Sequence, residues 1–208
     1  MDAKDADVEL IVKYQFTVID IKPSDASGGF CIFCNQTKKC MLEIVEVTKE
    51  DVKRLNQVKG LFREYANWLS VDLSFQRFEE ELSNLPEPAY VAPEGSLFLA
   101  LVDGLPAGCV AVRAFENSTC EMKRLFVRDA YKGHGVGKAL AASAIEAGRR
   151  LGYKRILLDT LAHMRRAIDL YTGLGFRPIA AYYDNPISDA VYLSMSLDTE
   201  SESTGNAA

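Results

Sequence analysis

Apolar positions in this chain recur with two periods, and the alternation between them gives an order of elements. LEIVEV (42–47) alternates apolar and polar residues, as a half-buried strand does. Thr48 offers a helix N-cap, with Asp51 three residues on. Val52, Leu55, Phe62 and Tyr65 then fall at helical spacing and predict an inner face. WLSVDLSFQRFEEEL reads as a turn and a second short helix, which the prolines of LPEPAYVAP end. Two β-rich runs flank Asp103-Gly104, a hairpin signal, and Asn117-Ser118 turns the chain into CEMKRLFV, a third consecutive strand. A glycine-rich stretch opens a helix that ends near Leu151, with Gly152 as its cap. KRILLDT is a short apolar run suited to a buried parallel strand. Ala167, Leu170, Tyr171 and Leu174 return to helical spacing before Gly175, and AAYYDN and AVYLSMSL read as two closing strands. The order is β-α-α-β-β-β-α-β-α-β-β, an α/β fold in which a mixed seven-stranded sheet carries about four helices on both faces.

The ends differ from this middle. In residues 1–40, KYQFTVIDI suits a strand but PSDASGG is loop chemistry, so we expect an N-terminal extension, partly disordered. Residues 41–198 form a single domain without internal repeat, and the polar tail 199–208 is expected to be disordered. The 208 residues, 48% hydrophobic and 25% charged, are enough for one domain with a full core. A net charge of −5 gives no basic face for nucleic acid. No apolar run approaches the roughly 20 residues that span a bilayer. The start, MDAKDADVELIV, is acidic where a signal peptide is basic, which predicts a protein of the cytoplasm or the nucleus. Five cysteines, an odd count, predict reduced thiols. Cys31, Cys34 and Cys40 lack a nearby fourth ligand, His134 and His163 being far along the chain, so no metal is expected.

The candidate chemistry lies in VRDAYKGHGVGKAL (127–140). Alternating glycines before a helix let the backbone approach a ligand closely, and the helix start offers free amides and a positive dipole end to an anion. The spacing does not fit a dinucleotide-binding G-x-G-x-x-G, and Gly137-Lys138 lacks the hydroxyl residue that a Walker A loop needs next. Lys132-x-x-Gly135-x-Gly137 resembles the Gln/Arg-x-x-Gly-x-Gly/Ala signature of acyl-CoA binding in the GNAT superfamily of N-acetyltransferases. The resemblance spans roughly 42–197 and includes the strand order, CEMKRLFV, the glycine loop, the LDT strand and the LYTGLGF helix. These pieces look like the small bacterial amino-acid and amine acetyltransferases. Lys132 departs from the usual Gln or Arg and meets a phosphate only as a point charge.

The resemblance implies acetyl-CoA as cosubstrate. Leu125, Phe126 and Val127 would pair through their backbone with the pantetheine arm, in a gap where two strands splay. The amides of Gly133, His134, Gly135, Val136, Gly137 and Lys138 would hold the pyrophosphate, beside Lys132, and Thr160 and Met164 would also touch the cofactor. The attacking amine must lose a proton, and Glu121 stands where the histone-type branch places its base; as a plain strand glutamate it would instead pair with Lys123 or Arg124. Tyr171 matches the tyrosine that faces the cofactor sulfur, or is a core tyrosine. An acetyl-cysteine route through Cys120 or Cys109 is less simple than direct transfer. Tyr65, Trp68, Asp72, Tyr183 and Asp184, with Tyr182 and Asn185, would bind the acceptor through aromatic and acidic groups that suit an ammonium, or serve in packing. The expectation is a monomer or homodimer that acetylates a primary amine of a small molecule, an amino acid or polyamine-like compound, in a ternary complex. A protein lysine or N-terminal acetyltransferase is the first alternative, and a non-catalytic acyl-CoA sensor the second.

Overall fold

The computed structural model describes residues 11–20, 36–69, 77–86 and 88–198, with side chains from Cys40 onward. The strands are β1 (Ile11–Asp20), β2 (Gln36–Glu46), β3 (Gly95–Val102), β4 (Leu105–Ala114), β5 (Thr119–Val127), β6 (Arg155–Leu161), β7 (Arg177–Ile179) and β8 (Ala190–Ser196). The helices are α1 (Val52–Leu69), α2 (Phe78–Asn84), α3 (Val136–Arg150) and α4 (Arg165–Gly173). One sheet runs β1-β2-β3-β4-β5-β6-β8-β7. Its pairs are antiparallel except β5 with β6. Six of the seven expected strands are present in the expected order, as β2 to β6 and β8; β7 forms at Arg177–Ile179, just before the expected AAYYDN. An eighth, β1, comes from the segment expected as an extension and pairs with β2 from Ile11↔Val45 to Asp20↔Gln36. β2 itself runs across residue 40, from Gln36 to Glu46, and β1 covers its outer edge of amides.

Local chemistry explains several element ends, and two elements, α1 and β7, differ from expectation. The cap of α1 is Asp51, not Thr48: its carboxylate accepts the Arg54 amide at 2.9 Å. Val52 therefore opens the helix and is exposed rather than inward. Asp103 and Gly104 both have positive φ, as a two-residue hairpin of the primed type requires. α3 and α4 end alike, in Schellman motifs. The Tyr153 amide reaches the Gly148 carbonyl, and the Phe176 amide reaches the Tyr171 carbonyl, each at 3.0 Å. The second of these locks Tyr171 at the last turn of α4. β7 is Arg177–Ile179, while AAYYDN is a loop whose tyrosines turn back onto the sheet. The Cys31-x-x-Cys34 pair lies outside the described residues.

Each face of the sheet has its own core. One is built under α3 and α4, with Leu140, Ala144, Ile156, Leu158 and Phe176. The other lies under α1 and α2, with Val58, Leu61, Phe62 and Leu82. β5 changes allegiance along its length. Cys120 and Met122 face the α3 core, but Phe126 faces the α1 core although it too is even-numbered. A β-bulge causes this: Cys109 pairs with Phe126 but Ala111 with Lys123, and Arg124 sits at φ 56°. One extra residue reverses every later side chain on the strand.

Candidate active site

The bulge coincides with a gap in the sheet. β5 and β6 pair only over Thr119–Glu121 and Arg155–Leu157. Past Glu121 the edge of β5 that faces β6 has no strand partner among the described residues. A cavity of about 930 Å³ occupies this gap, walled by β5 from Met122 to Val127, the glycine loop, the end of β6, α4 and the last turn of α1.

The glycine loop forms the outer end. Gly133 and Gly135 have φ of 82° and 80°, a left-handed backbone that side chains disfavour. Among the described residues, no backbone carbonyl takes the amides of Gly133, Gly135, Val136, Gly137 or Lys138; the first bond runs from the Ala139 amide to the Gly135 carbonyl at 3.0 Å. These free donors at a helix N-terminus suit a phosphate. Lys132 and Lys138 flank them on the cavity wall. The Lys132 ammonium lies 4.7 Å from the centre of the Trp68 ring, which roofs this end. The residues present therefore fit an acyl-CoA: an anion cradle at one end, and an unpaired strand edge leading inward from it.

The inner end is made of charge. Lys123 bridges the gap, its ammonium 3.3 Å from Asp159 Oδ1 on β6 and 3.5 Å from Glu121 Oε1. Lys123 and Asp159 both line the cavity; Glu121 does not. Glu121 is 1% exposed and fully engaged. Its Oε2 accepts from Arg113 Nε at 2.9 Å and Nη2 at 2.7 Å, and its Oε1 accepts the Tyr182 hydroxyl at 2.8 Å. Burial pushes its carboxyl up, but Lys123, Arg113 and the Tyr182 hydrogen bond outweigh burial and hold it below the ordinary value. On the other side, Asp159 Oδ2 accepts the Tyr183 hydroxyl at 3.2 Å, which in turn accepts from Asn185 Nδ2 at 2.7 Å. Burial pushes the Tyr171 hydroxyl well above the usual phenol range, with further contributions from Tyr65 and Asp159, so it stays protonated on the wall.

Arg124, at the bulge, ties this wall to the helices above. Its guanidinium reaches Glu81 of α2 at 2.6 Å and stacks 5.2 Å from the Phe78 ring centre and 5.8 Å from that of Tyr65. Glu81 also accepts the Tyr90 hydroxyl.

Several residues singled out in the sequence meet here. Leu125, Phe126, Val127, Lys132, Gly133, Gly135, Gly137, Lys138, Thr160, Tyr171, Tyr65 and Trp68 all line the cavity, as does Met164. His134 and Val136 do not, and Val136 is 1% exposed; only its backbone is turned to the loop. Tyr183 is one step behind the wall, through Asp159, and Asp184 is exposed and off it. Asp72 lies outside the described residues. Sequence reasoning missed Lys123, Arg124 and Asp159 as wall residues. For Asp159 a signal existed: a carboxylate ending an apolar strand run, LLDT, must find partners.

With this geometry in view, comparison with known proteins identifies the chain. Residues 60–176 match the acetyltransferase (GNAT) family. An N-acetyltransferase of Schizosaccharomyces pombe, uncharacterised, is 38% identical over 145 residues, 69% of this chain and 88% of its own. The chain belongs to the GNAT family and is an acyl-CoA N-acyltransferase that uses acetyl-CoA. It is also similar to N-acetylaspartate synthetase of Rattus norvegicus, 38% identical over 97 residues, but that match spans 46% of this chain and only 32% of the synthetase. The fold recurs in the crystal structure of an acetyltransferase from Streptococcus agalactiae, with TM-score 0.62, 23% identity, and coverage of 74% of this chain and 98% of that one.

Proposed function

We propose that the acceptor is the amino group of a free amino acid, acetylated by direct transfer in a ternary complex. Acetyl-CoA supplies an acetyl thioester, an electrophile with a thiolate leaving group. The free amides of the glycine loop hold its phosphates, and the unpaired edge of β5 from Leu125 to Val127 holds its arm. Tyr171, kept protonated by burial, offers its hydroxyl to the departing sulfur.

The single observation that carries the acceptor class is the pair Lys123 and Asp159. Their opposite charges stand 3.3 Å apart on the cavity wall, with side chains 6% and 15% exposed. A zwitterion satisfies both, its ammonium on Asp159 and its carboxylate on the remaining Lys123 donor. A polyamine brings a second cation to Lys123, which like-charge repulsion disfavours. The partial likeness to N-acetylaspartate synthetase, named for an N-acetylated amino acid, supports the same reading. The two thiols nearest the candidate site in sequence support direct transfer. Cys109 and Cys120 are buried and off the cavity wall, and burial pushes the Cys120 thiol up to about 12, so little nucleophilic thiolate exists.

The test is release of free thiol from acetyl-CoA across a panel of L-amino acids, their amides, polyamines and lysine peptides. Turnover on free amino acids, lost on their carboxamides, is expected. Faster turnover on a polyamine or a peptide than on every free amino acid would overturn the assignment.

A further inference from the structure

We propose that Asp159 is the carboxylate that takes the proton from the acceptor's ammonium, and that Glu121 is a positioning residue behind it. The proposal rests on the amino-acid reading of the same site, and concerns which of two carboxylates touches the substrate.

Three observations separate them. Asp159 lines the cavity and Glu121 does not. All of Glu121's strong acceptor directions are occupied from within the protein, by Arg113, Tyr182 and Lys123. The charges of Lys123 and Arg113 and the Tyr182 hydrogen bond also lower its proton affinity. Among the described residues Asp159 has one hydrogen bond on each oxygen, from Lys123 at 3.3 Å and the Tyr183 hydroxyl at 3.2 Å, and each carboxylate oxygen has capacity for a second donor. Asp159 and Tyr171 both line this cavity, so a proton acceptor and a proton donor share one wall.

The roles follow from placement. Glu121 anchors Lys123 from behind, so that the ammonium leans across the gap toward Asp159. Lys123 and the Tyr183 hydroxyl hold the Asp159 carboxylate in place on the wall, where it can dock a cation. One ammonium proton passes to Asp159. The nitrogen lone pair forms the C–N bond while the C–S bond breaks, its electron pair leaving on sulfur. The nitrogen's second proton neutralises that sulfur by way of the Tyr171 hydroxyl, and Asp159 returns its proton to solvent. The groups facing Asp159 from the packed elements are Lys123 of β5, Tyr65 of α1, Tyr171 of α4, Tyr182 and Tyr183 of the β7–β8 loop, and Tyr192 of β8. Burial pushes all five phenols up, so none of them titrates ahead of the amine.

The experiment compares Asp159→Asn with Glu121→Gln, using the amine on which the wild-type enzyme turns over fastest. Asp159→Asn is expected to lower kcat by about 100-fold or more at pH 7. That loss should shrink about tenfold per pH unit toward the amine's own pKa, because the free amine then forms in solution. Acetyl-CoA affinity by calorimetry should stay unchanged. Glu121→Gln should raise the acceptor KM with a smaller fall in kcat, and keep the wild-type pH profile. Asp159→Asn with near wild-type kcat, or with a loss that pH does not repair, overturns the proposal. If Asp159→Asn does not fold, Glu121→Gln decides: a wild-type pH profile supports Asp159, and a pH-repaired loss overturns it. Failure of the amino-acid reading is visible separately, in the wild-type panel.

Discussion

The two ends of the cavity are built in opposite ways. The outer end, to which we assign the phosphates, is seven consecutive residues, Lys132 to Lys138, whose free groups are backbone amides. The acceptor end takes Lys123 and Arg124 from β5, Asp159 from β6, Tyr171 from α4 and Tyr65 from α1, and its working groups are side chains. The first needs only a local conformation that glycine permits. The second exists only after β5 and β6 have paired for three residues and parted. In the reading proposed above, a common cosubstrate is held by a contiguous motif, and the particular acceptor by a tertiary arrangement that can vary without disturbing it.

The sharpest way to break this contrast is at Arg124. Its side chain is 2% exposed and pairs with Glu81 at 11%. Arg124→Met leaves Glu81 buried without its guanidinium and should cost about 3–5 kcal/mol, read as a lower urea midpoint at constant m. Next in size is the double variant Gly133→Val with Gly135→Val. Each left-handed residue adds about 1–2 kcal/mol of backbone strain, so acetyl-CoA affinity by calorimetry should fall about 30-fold or more, the acceptor wall being left intact.

Acid should act on the paired carboxylates of the inner end. Burial pushes Glu81 and Glu121 up, but their cations outweigh it, so both fold with lowered pKa values relative to an ordinary 4.5. The unfolded chain then binds protons more readily, so the stabilisation is whole above that ordinary value and is lost as pH falls through the lower folded values. Urea midpoints measured from pH 6 downward should fall across that window, and Glu121→Gln should flatten the fall. The smallest effect is expected at Lys132, whose side chain is 37% exposed and already paired with Asp129. Lys132→Gln should weaken acetyl-CoA binding only about two- to fivefold, and less at high salt. A large loss there would mean that the outer end depends on a side chain after all.

The glycine loop, the Asp103-Gly104 turn and the stop at Gly175 were legible because each is set by the conformational limits of a few adjacent residues. So were six strands, β2 to β6 and β8, in their order, from two hydrophobic periods. The misplacements have local competitors: Asp51 outbid Thr48 as the cap, and AAYYDN lost its strand to RPI because its tyrosines are engaged with Glu121 and Asp159. Glu121 was singled out by spacing, yet a strand position one residue before Met122 does not tell which wall its carboxylate meets. That depended on Arg113 lying opposite it on β4.

The chain's own order of residues therefore determined the element sequence, the anion cradle and the family to which it belongs, since these rest on short-range backbone preferences and periodic burial. Which carboxylate faces the cavity, and which cation stands beside it, were decided only by tertiary structure. One extra residue at Arg124 reverses the strand beyond it, and the parting of β5 from β6 opens the space that Lys123 and Asp159 share. Neither can be read from neighbours in sequence, because both are set by pairings between strands some 35 residues apart, such as Glu121 with Leu157.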